Sequence, residues 1–143
     1  MAEVKLKRAE GTQLLGVGIA GQALALGLGN KAGSRYVSVV TNRGNPYQWQ
    51  FVFLASLGEI TKYQVGTQDG QAWWTVPANG PLPNCVGVVA GPRERATTIL
   101  YDDITQTLSV FDGGFLAPIG SSSGFYFSTE AEASSRVDFY ATS

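Results

Sequence analysis

Residues 11–30, GTQLLGVGIAGQALALGLGN, alternate bulky and small positions with no charged residue among them. Leu15, Val17 and Ile19 stand between Gly16, Gly18 and Ala20, and Leu24, Leu26 and Leu28 between Ala23, Ala25, Gly27 and Gly29. A strand points successive side chains to opposite faces, so period two gives one bulky face and one nearly bare face. A period of 3.6 also lines up Leu15, Ile19, Ala23 and Leu26, which makes a short N-terminal helix the alternative. Five glycines from position 16 to 29 oppose that helix, at ~1 kcal/mol each relative to alanine. Whatever its conformation, a segment this apolar requires cover from a core, a partner or lipid. Its length is about that of a membrane span, but its glycines and Gln22 make it a poor permanent anchor.

Period two continues along the chain. Residues 4–8 alternate Val4 and Leu6 with Lys5 and Lys7, and 30–34 carry turn chemistry. Residues 36–41 are rich in β-branched residues and predict a strand; 41–46 predict a loop, with Asn42 and Gly44 tolerant of left-handed backbone and Pro46 unable to donate to a ladder. The clearest strand is 47–54, with Trp49, Phe51 and Phe53 on one face. Strands are also predicted over 60–65, 72–76, 85–90, 96–101, 105–111, 125–129 and 136–142. Asp69-Gly70 supplies a tight hairpin turn, Asp102-Asp103 a second, and Gly113-Gly114 and 120–124 loops. Short strands at this spacing predict an all-β, single-domain antiparallel β-sandwich over 1–143.

Composition narrows the chemistry. Charged residues make up 15% of the chain and the net charge is −1, so there is no basic footprint for nucleic acid. The absence of histidine removes imidazole catalysis and imidazole metal ligation. A lone Cys85 removes an internal disulfide and a cysteine-rich zinc site. The N-terminal basic residues precede an apolar run, but Glu10 and Gln13 interrupt its start, so a cleavable signal is not expected.

Catalytic motifs are sparse. Asp102-Asp103 is the adjacent carboxylate pair; on a strand the two would face opposite ways, and at a hairpin tip they make an acidic turn. Gly16, Gly18 and Gly21 match the dinucleotide fingerprint by spacing alone, without the following helix or the acidic residue about 20 positions on. No enzyme, cofactor or metal is expected. Aromatic residues carry the stronger signal. Tyr47, Trp73, Trp74, Tyr101, Phe115 and Tyr126 fall at or near loop ends, where such rings suit a membrane interface or stacking on sugar. Trp73 and Trp74 are adjacent, so one indole is expected to face the core and the other solvent.

Over about residues 26–49 the chain resembles the actinoporins. Leu28-Gly29-Asn30 is followed by basic Lys31 and Arg35, an alternating strand from Tyr36 to Val40, an asparagine–glycine turn at 42–45, and Trp49. Aegerolysins open with a similar strand and turn, and fungal fruit-body lectins share the actinoporin-like architecture. The chain departs from the actinoporins in lacking a basic charge and a charged face on the apolar segment. Ser109-Val110-Phe111-Asp112 also lacks that family's tyrosine-rich run. The resemblance implies a soluble β-sandwich that binds membranes and inserts its N-terminal region as an oligomer.

The leading expectation is therefore a secreted or released pore-forming, cytolytic homo-oligomer acting at a lipid membrane. Leu14, Leu15, Val17, Ile19, Leu24, Leu26 and Leu28 would form its inserting face, and the aromatic set would meet the membrane surface. The alternatives are a lectin-like module holding glycan and a self-assembling capsid- or decoration-type subunit.

Overall fold

Alternation becomes strand at nearly every predicted position. The computed structural model describes residues 3–4, 11–19, 22–40, 47–111, 113–121, 124–131 and 137–142. The strands are β1 (Glu3–Val4), β2 (Gly11–Ile19), β3 (Gln22–Lys31), β4 (Ser34–Val40), β5 (Gln48–Leu57), β6 (Ile60–Thr67) and β7 (Ala72–Thr75). They continue as β8 (Gly87–Ala90), β9 (Ile99–Asp102), β10 (Thr107–Val110), β11 (Phe115–Ser121), β12 (Gly124–Ala131) and β13 (Asp138–Thr142). One 3-10 turn, Arg93–Arg95, interrupts them. The expected all-β, antiparallel class is present.

The pairings join the strands into one sheet whose path returns to its start. From β2 it runs through β3, β4, β12, β11, β10, β9, β6 and β5, and β5 pairs β2 again. A shorter link, β4–β8–β7–β6, spans the same circuit. Closure leaves few unpaired backbone edges to recruit another chain. β13 lies along β2, with Asp138 opposite Gly18 and Tyr140 opposite Gly16.

The bulky face of residues 11–30 turns inward. Leu15, Val17 and Leu26 are buried in a core with Trp49, Phe51, Tyr63, Trp74, Tyr101, Phe127 and Phe139. Trp49 meets Trp74 edge-on at 5.3 Å between centroids, and its Nε1–H donates to the Leu26 carbonyl at 3.3 Å. The β2–β3 hairpin is thus tied to β5 by backbone pairing and by an indole. The helical alternative is overturned for residues 11–19 and 22–31, which are strand. The structural reason is the register: Gly16 sits opposite Ala25 and Val17 opposite Leu24, which stacks bulky on bulky and small on small.

Two further corrections concern local signals. Strand β11 is not among the predicted strands; it accommodates Pro118 opposite Phe127. Gly120, Ser121 and Gly124 belong to strands rather than to a loop. Expectations for residues 5–8, the loop at 41–46, Gly21, Asp112, residues 122–123 and Arg136 fall outside the described residues.

Candidate functional site

The hairpin turns at one end of the sheet are built from ordinary turn chemistry. Gly58, at φ +61°, closes β5 onto β6. In the β9–β10 turn the Asp102 carboxylate accepts the Ile104 N–H at 2.9 Å and the Thr105 N–H at 3.4 Å. That side-chain mimicry of a backbone turn fixes the loop. It also bears out the acidic-turn expectation for Asp102. β6 pairs β9, with Ile60 opposite Asp102, so the two hairpins are neighbours. The Asp103 N–H donates to the Glu59 carbonyl at 2.9 Å and ties one tip to the other.

On these tied tips stand two aliphatic side chains that the fold leaves in water. Leu57 is 84% exposed and Ile104 72%. Turn tips are normally polar, and single exposed apolar residues need no explanation. Here, however, three of the six large hydrophobic residues exposed among the described positions lie on or near these tips: Leu54, Leu57 and Ile104. Their gathering on two adjacent hairpins marks an interaction surface. Lys62 crosses its flank, with Nζ 5.2 Å from the centroid of the Phe111 ring. Glu59 and Asp103 add negative charge beside the tips.

The residues expected to meet a membrane or ligand are distributed differently. Leu15, Val17 and Leu26 are core, and Ile19, Leu24 and Leu28 are partly buried against it. Leu14 pairs through its backbone with Gln48 and Thr142; its side chain lies outside the described residues. Among the aromatics, Tyr47 is half-buried and packs at a tilt against Trp49, 4.7 Å between centroids, and Phe115 and Tyr126 are half-buried. Tyr101 is buried and donates to the Phe139 carbonyl at 3.4 Å.

The expectation that one tryptophan of the pair faces solvent is overturned, since Trp73 is 5% exposed and Trp74 0%. Trp74 points into the core. Trp73 lies opposite Gly66, where a Cβ would stand 2.5 Å from the indole Cε3. The missing side chain at Gly66 is what lets the second indole be covered.

Sequence reasoning did not single out Leu54, Leu57 and Ile104. The available signal was an aliphatic residue inside or beside a turn motif: Leu57 before Gly58-Glu59, and Ile104 after Asp102-Asp103. Among the described residues, no three His, Cys, Asp or Glu side chains gather as a metal site. No described helix is long and apolar enough to cross a membrane. No protein-family model matches the chain, and no curated protein does.

Proposed function

We propose that the protein binds lipid surfaces and meets them through the paired tips of β5–β6 and β9–β10. The observation that carries this is the pair Leu57 and Ile104, both exposed on adjacent hairpins that the Asp103–Glu59 backbone bond holds together. Tips that protrude insert between headgroups without requiring a matching pocket. Burying one such side chain contributes about 1.5–3 kcal/mol. Two of them give weak, reversible attachment once the loss of free motion is counted. Several copies on one membrane raise the effective affinity without new contacts, so a homo-oligomer is the form that stays bound. Glu59 between the strands of the first tip favours a zwitterionic surface over an anionic one.

The test is co-sedimentation with phosphatidylcholine vesicles, with and without phosphatidylserine. The wild-type protein is expected to pellet with the zwitterionic vesicles and no better with the anionic ones. Leu57→Ser with Ile104→Ser should remove binding while leaving the melting temperature nearly unchanged, since both positions are exposed. Vesicle binding that survives the double substitution, or no binding to either vesicle, overturns the proposal.

A further inference from the structure

A cleft of about 300 Å³ opens away from the hairpin tips. It is lined by Val76, Asn84, Thr97, Phe111, Gly114 and Glu130, among others. We propose that this cleft is a binding site for a neutral sugar ring. The inference is independent of lipid binding.

The cleft exists because the chain approaches itself closely at Gly113-Gly114. The Gly114 N–H donates to the Thr129 carbonyl at 2.8 Å, and a Cβ on Gly114 would stand 2.8 Å from the Ala131 carbonyl oxygen. The turn after β10 is thus bonded to β12, and Phe111 stands on the rim, 55% exposed. On the opposite side Asn84 adopts left-handed backbone, φ +62°. Its N–H donates to the Pro77 carbonyl at 2.8 Å, and its carbonyl accepts both the Thr129 N–H at 3.0 Å and the Thr129 hydroxyl at 2.7 Å. With its backbone engaged, Asn84 keeps its side-chain amide, a donor and an acceptor, for a ligand. Thr97 adds a hydroxyl and Glu130 an acceptor carboxylate.

An apolar ring beside a donor–acceptor amide, a hydroxyl and a carboxylate matches a pyranose. One face of such a ring presents C–H groups for stacking, and its edge presents hydroxyls that both donate and accept. The volume sits at the small end of ligand pockets, enough for a single ring. Among the described lining residues there is no lysine or arginine, and the Glu130 carboxylate disfavours a phosphate or carboxylate ligand. Lys62 stands over one face of the Phe111 ring and its charge repels a cationic ligand, so a sugar would stack on the other face. Glu130 is the one carboxylate among the described lining residues, and Cys85 is buried with its thiol pushed up in pKa by burial and by the Glu130 charge.

The experiment titrates isotope-labelled full-length protein with methyl glycosides of glucose, galactose, mannose and N-acetylglucosamine, and with tetramethylammonium as the cationic probe. At least one sugar is expected to shift the Phe111, Gly113 and Gly114 amides, and tetramethylammonium is not. Phe111→Ala should weaken that sugar about tenfold. Asn84→Gly keeps the left-handed backbone while deleting the amide, so it should weaken binding without unfolding the protein. Leu57→Ser with Ile104→Ser should leave sugar binding intact, which separates this site from the lipid surface. No shift at those amides with any sugar, stronger binding of tetramethylammonium, or full affinity in Asn84→Gly each overturns the assignment.

Discussion

The Tyr140 ring occupies the space that a side chain at Gly16 would need. The two residues are register partners on β13 and β2. Gly16, on the bare face of the apolar hairpin, therefore accommodates an aromatic residue from the neighbouring strand. Gly66 and Trp73 repeat the arrangement on β6 and β7, and Tyr126 approaches Gly29 on β3. Rings laid over strand glycines restore the cover that glycine itself lacks.

Gly16→Ala is accordingly expected to destabilise by about 1–3 kcal/mol, because the added methyl meets the Tyr140 ring. Gly18→Ala is the control. Its Cβ would meet no described atom within 4 Å, so the lower entropy of the unfolded chain should leave it neutral or more stable, by about 0.4–1 kcal/mol. Urea denaturation of both variants checks the contrast; equal effects would break the link between glycine and ring.

Much of the fold was legible because burial on one face writes period two into the sequence. Trp49 and Phe51 are core and Phe53 packs against it, as their alternation requires. Asp69-Gly70 makes its hairpin, with Gly70 at φ +73° and the Asp69 carboxylate held low in pKa by the Thr67 hydroxyl and the Gln71 N–H. What stayed hidden depended on partners distant in sequence. Nothing near Trp73 announces that Gly66 will make room for it. Nothing near Asn84 announces that β12 will lock its backbone from 45 residues away. Leu57 and Ile104 read as ordinary strand or loop aliphatics until the β6–β9 pairing sets their hairpins together.

The two core tryptophans should respond differently to loss of the indole N–H. Trp49 donates to the Leu26 carbonyl, whereas Trp74 Nε1 is buried without a partner among the described residues. Both phenylalanine variants lose volume, but only Trp49→Phe also loses a hydrogen bond. It should cost about 1 kcal/mol more than Trp74→Phe in denaturant titration. Equal costs would mean that the Trp49–Leu26 bond contributes nothing to stability.

Cys85 should be inert in the native state and should make the fold sensitive to alkali. It is buried, and burial followed by the Glu130 charge raises its thiol pKa. The unfolded chain therefore releases the thiol proton at lower pH than the folded one. Above the ordinary thiol range the unfolded state binds fewer protons, so stability falls as pH rises; below that range the thiol contributes no slope. Labelling by a thiol reagent at neutral pH should be slow. The alkaline decline of stability should be shallower in Cys85→Ala, and an identical pH profile in that variant would remove Cys85 as its cause.

Lipid contact through the tips and insertion of residues 11–30 make opposite demands on β2. For β2 and β3 to leave as a hairpin, they must give up their pairing with β13, β5 and β4 and withdraw Leu15, Val17 and Leu26 from the core. Lipid can cover those side chains, but it offers no partner to the backbone groups freed from β13, β5 and β4, so the hairpin must find new pairing there, whereas the tips insert with theirs intact. Gly18 lies opposite exposed Asp138, and a Cβ at Gly18 is unobstructed by described atoms. Facing positions on antiparallel strands lie within the Cα separation a disulfide requires. Gly18→Cys with Asp138→Cys should therefore lock β2 to β13 on the outer surface while buried Cys85 stays apart. Oxidised and reduced forms are expected to bind phosphatidylcholine vesicles equally and to differ in no dye-release assay, because the tips do not need β2 to move. If oxidation suppresses binding or dye release and reduction restores it, the glycine-rich hairpin leaves the sheet at the membrane, and the inserting segment is residues 11–30 rather than the tips.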